Sequence, residues 1–273
     1  MTAVSRIPER VFRIMRSCET DQISRFPPTE IFNEGWMLRL VLDAMEKLGI
    51  QKHPLRFLQT AKWYSEARLA SPFRATSRAD TLAEGFTHAD GVVGHFDFHE
   101  ATKAGLRLEP AGRQFVVIEA KMFSNLSAGT KNAPAYNQAA RNVACMAAAM
   151  EQAGRQIDDF DSVGFFVLAP SLDRRRAGST NLESCLAVDA IRLAVHQRIA
   201  SYESAIRHEA AGLRRWETEF FLPLVDRLDR AGSMAVLSWE DCIGAIGGAD
   251  GETGVELAAF YQRCLSYTPR SFY

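Results

Sequence analysis

Three observations predict an α/β fold with a mixed central sheet flanked by helices. Apolar residues after Pro27-Pro28 recur with a helical period, four later runs are short and rich in strand formers, and an Ala-rich helical stretch separates the third run from the fourth. The order helix, strand, strand, strand, helix, strand suits a sheet covered on both faces. With 273 residues, 47% hydrophobic and 24% charged, the chain has ordinary globular values, which exclude general disorder, collagen and a coiled coil. At roughly 150 residues per domain the length allows two domains, and one elaborated α/β domain fits as well. The expected organisation is an N-terminal arm over 1–27, a core over 28–171 and a helical C-terminal region over 172–273 packed on the core.

The arm is polar, with one short helix expected from Glu9 to Met15. Thr29 or Asn33 can cap the first core helix, whose apolar positions Trp36, Met37, Leu40, Val41, Ala44, Met45 and Leu48 share one face before Gly49 closes it. Trp63 to Leu69 is read as a strand, and Gly91 to Phe98 and Gln114 to Met122 as a hairpin with a long tip. Ala135 to Met150 follows Pro134 and suits a helix packed closely on a sheet; Ser162 to Ala169 suits a buried strand ended by Pro170. Leu182 to Leu213 and Trp216 to Leu228 read as helical. Ser238 resembles a helix start, Gly247 to Gly254 a Gly-rich turn, and Val255 to Leu265 a final helix.

Composition narrows the function classes. The formal net charge of -1 neither demands nor forbids a polyanionic partner, because a local cluster of cations is what matters. No apolar run approaches the ~18 residues of a membrane span, and the N-terminus lacks a signal-peptide pattern, so a cytoplasmic protein with no membrane partner is expected. Cys18, Cys145, Cys185, Cys242 and Cys264 are scattered, without CxxC or zinc spacing, as reduced thiols would be. GxGxxG, P-loop and GxSxG motifs are absent, which removes the usual local support for dinucleotide, nucleoside-triphosphate and serine-hydrolase sites.

One constellation carries chemistry. Asp90 starts one strand, and Glu119-Ala120-Lys121 ends the next. Alternate strand residues share a face, so Glu119 and Lys121 project together, and a hairpin centred near residue 106 sets Lys121 opposite Gly91, with Asp90 beside it. Two carboxylates and the Ala120 carbonyl suit a hard cation, Mg²⁺ or Mn²⁺. A lysine beside that cation can hold an attacking water and offset charge building on a phosphoryl oxygen.

This pattern resembles the PD-(D/E)XK nuclease superfamily, the restriction-endonuclease-like phosphodiesterases. The resemblance rests on E-A-K after the apolar VVI, on the upstream Asp90, on the element order, on Glu34 in the first helix and on Gln138 in the helix after the motif strand. It covers roughly Thr29 to Pro170 and departs at Ala89, where the superfamily often has proline. It implies a restriction-endonuclease-like core and a metal-dependent nuclease acting on nucleic acid, DNA before RNA. Asp90, Glu119, Lys121 and Gln138 would be catalytic, and Asp90, Glu119 and the Ala120 carbonyl would hold the ion, with Glu34 a candidate further ligand. A nucleic-acid-binding or protein-interaction module that kept the fold without cutting is the alternative, and a homodimer built on the C-terminal region is compatible with either.

Several residues have competing readings. Asp97 is the alternative acidic residue, on the opposite strand face from Asp90 unless a bulge forms at Gly94. The helix dipole explains Glu34 as well as a metal does, and Gln138 can equally face solvent. Tyr136, Arg141 and Lys131 are candidate phosphate contacts, as are Arg68, Arg74, Arg78 and Arg174-Arg175-Arg176. His88, His95 and His99 match no zinc spacing and read as ordinary hairpin histidines.

Overall fold

The computed structural model describes residues 7–20, 26–75, 80, 82–98, 105–129, 133–172, 182–205 and 207–267. Lys131, Arg78, His99 and Arg174-Arg175-Arg176 lie outside them. The arm helix α1 spans Ile7–Thr20, longer than its sequence pattern suggests. Asn33 starts α2 (Glu34–Leu48) by accepting a hydrogen bond from the Trp36 N–H at 3.0 Å, and Gly49, left-handed at φ 61°, ends it.

Five strands form one mixed sheet in the order β1 (Lys62–Leu69), β2 (Thr87–Gly94), β5 (Gln114–Ala120), β6 (Ser162–Ala169) and β7 (Met234–Ser238). β1, β2 and β5 run antiparallel in turn, whereas β5–β6 and β6–β7 are parallel. β5 is central and buried along its whole length, which its unbroken apolar run requires. Successive β5 residues serve opposite layers. Val116, Ile118 and Ala120 join a core with α2, α8 (Trp239–Ala249) and α9 (Gly251–Tyr267). Phe115 and Val117 join the other core, beneath α3 (Gln138–Gln152), α5 (Val188–Ala205) and α7 (Leu222–Arg230).

The expected strand from Gly91 to Phe98 breaks at Gly94. A Cβ there would lie 2.1 Å from the Gln114 carbonyl oxygen, and φ 154° is open only to glycine, so the backbone turns out of the sheet. The chain then forms a separate ribbon, β3 (Phe96–Phe98) with β4 (Leu106–Leu108). This detour also corrects the register: Ile118, not Lys121, stands opposite Gly91. Beneath the kink, His95 Nδ1 accepts from the Arg113 and Gln114 N–H groups and Nε2 reaches the Gln59 carbonyl at 2.9 Å. Both ring nitrogens are engaged, as in a structural histidine.

The ribbon is tied down by buried Arg155. Its guanidinium donates to the carbonyls of Glu109, Pro110, Gly112 and Asp159 and to the Asp159 carboxylate. Arg155→Met removes every one of these donors while keeping most of the stem. It is expected to cost about 2 to 3 kcal/mol of stability, read from urea midpoints at constant slope.

The C-terminal region is more than helices. α4 (Leu182–Cys185), α5, α6 (Arg207–Trp216), a π-helical turn at Glu217–Phe221 and α7 precede β7, which completes the sheet edge. The expected Gly-rich turn is also different. Gly247 and Gly248 lie inside α8 and Gly254 inside α9, where a Cβ on Gly254 would sit 2.4 Å from the Gly247 Cα. These glycines permit two helices to touch backbone to backbone. Among the described residues no helix is long and apolar enough to cross a membrane.

Candidate active site

The β2–β5 ladder stops at Gly91 and Ile118, and there the two strands part. Asp90 fills the parting: its Oδ2 accepts the Ala120 N–H at 2.7 Å, replacing a main-chain partner by a carboxylate. Glu119 projects toward the α3 layer and is fully buried, with Oε2 3.4 Å from Lys121 Nζ and Oε1 accepting from Asn142 Nδ2 at 2.8 Å. Asp90 is close enough to act electrostatically on the Glu119 carboxyl. The three residues singled out by sequence therefore meet.

The electrostatics follow from this crowding. Burial and then the neighbouring Asp90 push the Glu119 carboxyl up to about 8, against the opposing pull of Lys121 and Asn142. Near neutrality Glu119 therefore retains its proton. That proton occupies the electrostatic niche a cation would fill.

Asp90, Ala120 and Lys121 line a cleft of about 380 Å³ at the N-terminus of α2, together with Glu34, Arg39 and Glu66. Lys121 keeps 13% of its side chain exposed there. Glu34 thus faces the same space as Asp90, across the opening. Glu66 is held in the left-handed region at φ 57° on β1, opposite Asp90 and between the pairs Ser65–Gly91 and Ala67–Ala89. Its carboxylate sits 3.6 Å from Arg39, which also donates to Ser65 Oγ. A non-glycine residue in that conformation costs on the order of 1 to 2 kcal/mol, and here it belongs to an acidic side chain that lines the cleft.

The main chain of Lys121 is fixed from both sides. Its N–H donates to the Leu168 carbonyl at 2.8 Å, and its carbonyl accepts from the Trp239 indole at 2.9 Å. Trp239 is fully buried at the start of α8, so the C-terminal region positions the motif lysine. Glu240, beside it, receives the Ser171 N–H and the Tyr261 hydroxyl and ties β6 to α9.

Other expected residues lie elsewhere. α3 begins at Gln138 after the Asn137 cap, later than the sequence indicates, and its small residues pack on the sheet as expected, Cys145 and Ala148 being buried. Gln138 does not reach the motif strand; its Oε1 accepts the Ser127 N–H at 3.0 Å and holds the loop before the helix. Asn142, one turn later, makes the contact expected of Gln138. Asp97 is exposed on the separate ribbon, paired with Arg107 across β3–β4, and takes no part. Tyr136 is 1% exposed and meets the Phe73 ring edge-on, so it lies in the core and does not line the cleft beside Asp90. Arg141 is partly exposed, whereas Arg68, Arg74 and His88 are exposed away from the cleft lining. Burial pushes the thiols of Cys145, Cys242 and Cys264 up to about 12, leaving them protonated and unreactive.

Among the described residues no three His, Cys, Asp or Glu side chains are gathered as a metal-binding group. The donor set present, the neighbouring Asp90 and Glu119 carboxyl groups with Glu30, Glu34 and Glu66 also lining the cleft, fits a cation that takes one or two protein carboxylates and completes its shell with water, as Mg²⁺ does. Compared with protein-family models, curated proteins and solved structures, the chain finds no match.

Proposed function

We propose that the chain is a Mg²⁺- or Mn²⁺-dependent phosphodiesterase acting on nucleic acid, DNA before RNA, with a restriction-endonuclease-like core. The observation that carries this reading is the meeting of Asp90, Glu119 and Lys121 where β2 and β5 part, beside an open cleft. Asp90 and Glu119, with the Ala120 carbonyl, would hold the ion, and Glu34 would receive one of its waters across the cleft. When bound, the ion supplies Lewis acidity at the scissile phosphate.

The protein's own groups do the rest. Asn142 and Lys121 fix the Glu119 carboxylate in one orientation. Lys121, partly exposed, aims its ammonium where an attacking water and a phosphoryl oxygen would sit, orienting the one and offsetting charge on the other. Water attacks phosphorus, the P–O bond to the leaving nucleoside breaks, and the proton given up by the water passes through solvent to the leaving oxygen. Trp239, through the Lys121 carbonyl, keeps the lysine backbone from drifting.

Calorimetric titration of the protein with Mn²⁺, beside Glu119→Gln, tests the reading together with a cleavage assay on single- and double-stranded DNA. Saturable binding that the substitution removes, with cleavage dependent on the ion, is expected. Absence of both binding and cleavage refutes it.

A further inference from the structure

A second polar cluster lies on the α3 side of the sheet, past the Thr87 end of β2. Phe73 is its hub: the Tyr136 ring meets it edge-on at 5.5 Å, and the Arg198 guanidinium from α5 lies over it at 5.4 Å. Glu84 is ion-paired with Arg198 Nη2 at 3.3 Å and accepts from Ser71 at 3.1 Å. Arg141, on α3, acts electrostatically on both Glu84 and Tyr136.

Hydrogen bonds in this cluster do not balance. Buried atoms without any partner include the Tyr136 hydroxyl, Arg141 Nε, Arg198 Nε and Nη1, and the indole nitrogen of Trp216, which also packs on Phe73. Among the described residues of the cluster the acceptor at hand is Glu84 Oε1, and it already faces Arg198 Nη2 at 3.3 Å. An unmet buried donor is costly, and several clustered in one place call for a guest that accepts them. Water brings as many donors as acceptors and would leave its own protons unmatched. An oxyanion brings acceptors only.

Charge points the same way. Among the described residues the guanidinium groups of Arg198 and Arg141 face Glu84, which burial pushes above the usual carboxylate range despite them, and the Asp80 carboxylate lies 3.5 Å from the hydroxyl of Tyr202, the ring stacked on Phe73. The arginine side chain at 198 is 2% exposed, so it acts where screening is weak. Arg141 and Leu82 are only half-buried, so the cluster reaches toward the surface at these two residues.

We propose that Tyr136, Arg141 and Arg198 form a binding site for an oxyanion of the phosphate class. The planar fork of arginine suits two oxygens of one phosphate, and the tyrosine hydroxyl supplies a third donor. The guest is free phosphate or the terminal phosphate of a nucleic-acid strand. The site needs no metal and stands whether or not the Asp90–Glu119 site hydrolyses phosphodiesters.

Titration of the full chain with inorganic phosphate in metal-free chloride buffer, followed calorimetrically, tests the assignment. One saturable site is expected, weakened about tenfold or more by Arg141→Gln and clearly weakened by Tyr136→Phe, which keeps the ring and its packing. Arg198→Lys serves as a third variant, with circular dichroism to show that it folds. Competition by a 5′-phosphorylated oligonucleotide but not its dephosphorylated form would assign the guest to a strand end, and no competition would assign it to free phosphate. No saturable phosphate binding, or binding unchanged in both Arg141→Gln and Tyr136→Phe, would overturn the proposal.

Discussion

Lys121→Ala is expected to slow metal-dependent cleavage of DNA by on the order of a hundredfold to a thousandfold, the usual loss when one preorganised electrostatic donor is removed. Mn²⁺ binding should stay close to that of the parent, because the carboxyl groups that would hold the ion remain. The ammonium lies 3.4 Å from Glu119 Oε2 yet retains exposure to the cleft, so it contacts the carboxylate and still faces substrate space. A structural role would give a different pattern. Were Lys121 needed only to neutralise Glu119, the alanine variant would lose stability and metal affinity together and cleavage would follow those losses. Turnover measured at saturating Mn²⁺ separates the two. Equal rates for parent and variant would leave the lysine without a catalytic role.

Much of this geometry could be read before any coordinates. Alternation along β5 put Glu119 and Lys121 on one face, and the capping chemistry of Asn33 and Gly49 marked both ends of α2. Asp90 was preferred over Asp97 from strand parity, and the kink at Gly94 separates them further by sending Asp97 into another ribbon. What stayed hidden depends on long-range contact. Asn142 looks like one polar residue in an alanine-rich helix, and only its distance to Glu119 gives it a role. Gln138 holds the position to which the resemblance points, but the helix begins later than Pro134 suggests and its first turn faces the Ser127 loop. Trp239 and β7 were hidden for a related reason. Met234–Ser238 is half-buried throughout, short and weakly patterned, and becomes a strand because β6 offers it an edge. The left-handed conformation of Glu66 has no sequence signal, since glutamate is not a residue that seeks it.

Glu119→Gln is expected to change how stability of the metal-free protein depends on pH. The parent carboxyl titrates at about 8 when folded and near 4.5 when unfolded, so between those values the folded state binds the extra proton. Stability therefore falls as pH rises through that window, is greatest below it, and levels off once the folded group has ionised. The cause is the cost of charging a carboxylate that is fully buried beside Asp90, only partly offset by Lys121 and Asn142. Over the whole window the loss should reach a few kcal/mol. Glutamine keeps the shape and can still accept from Asn142 while carrying no charge, so its stability should be nearly flat over the same range and exceed that of the parent above pH 8. Urea midpoints at pH 5, 7 and 9 in the presence of chelator measure this directly. Parallel curves for parent and variant would mean that Glu119 is already ionised near neutrality, and its retained proton would have to be abandoned. Divergence toward alkaline pH would show a buried charge that is costly when unpaired, the condition under which a divalent cation binding between the two carboxylates returns the most stability.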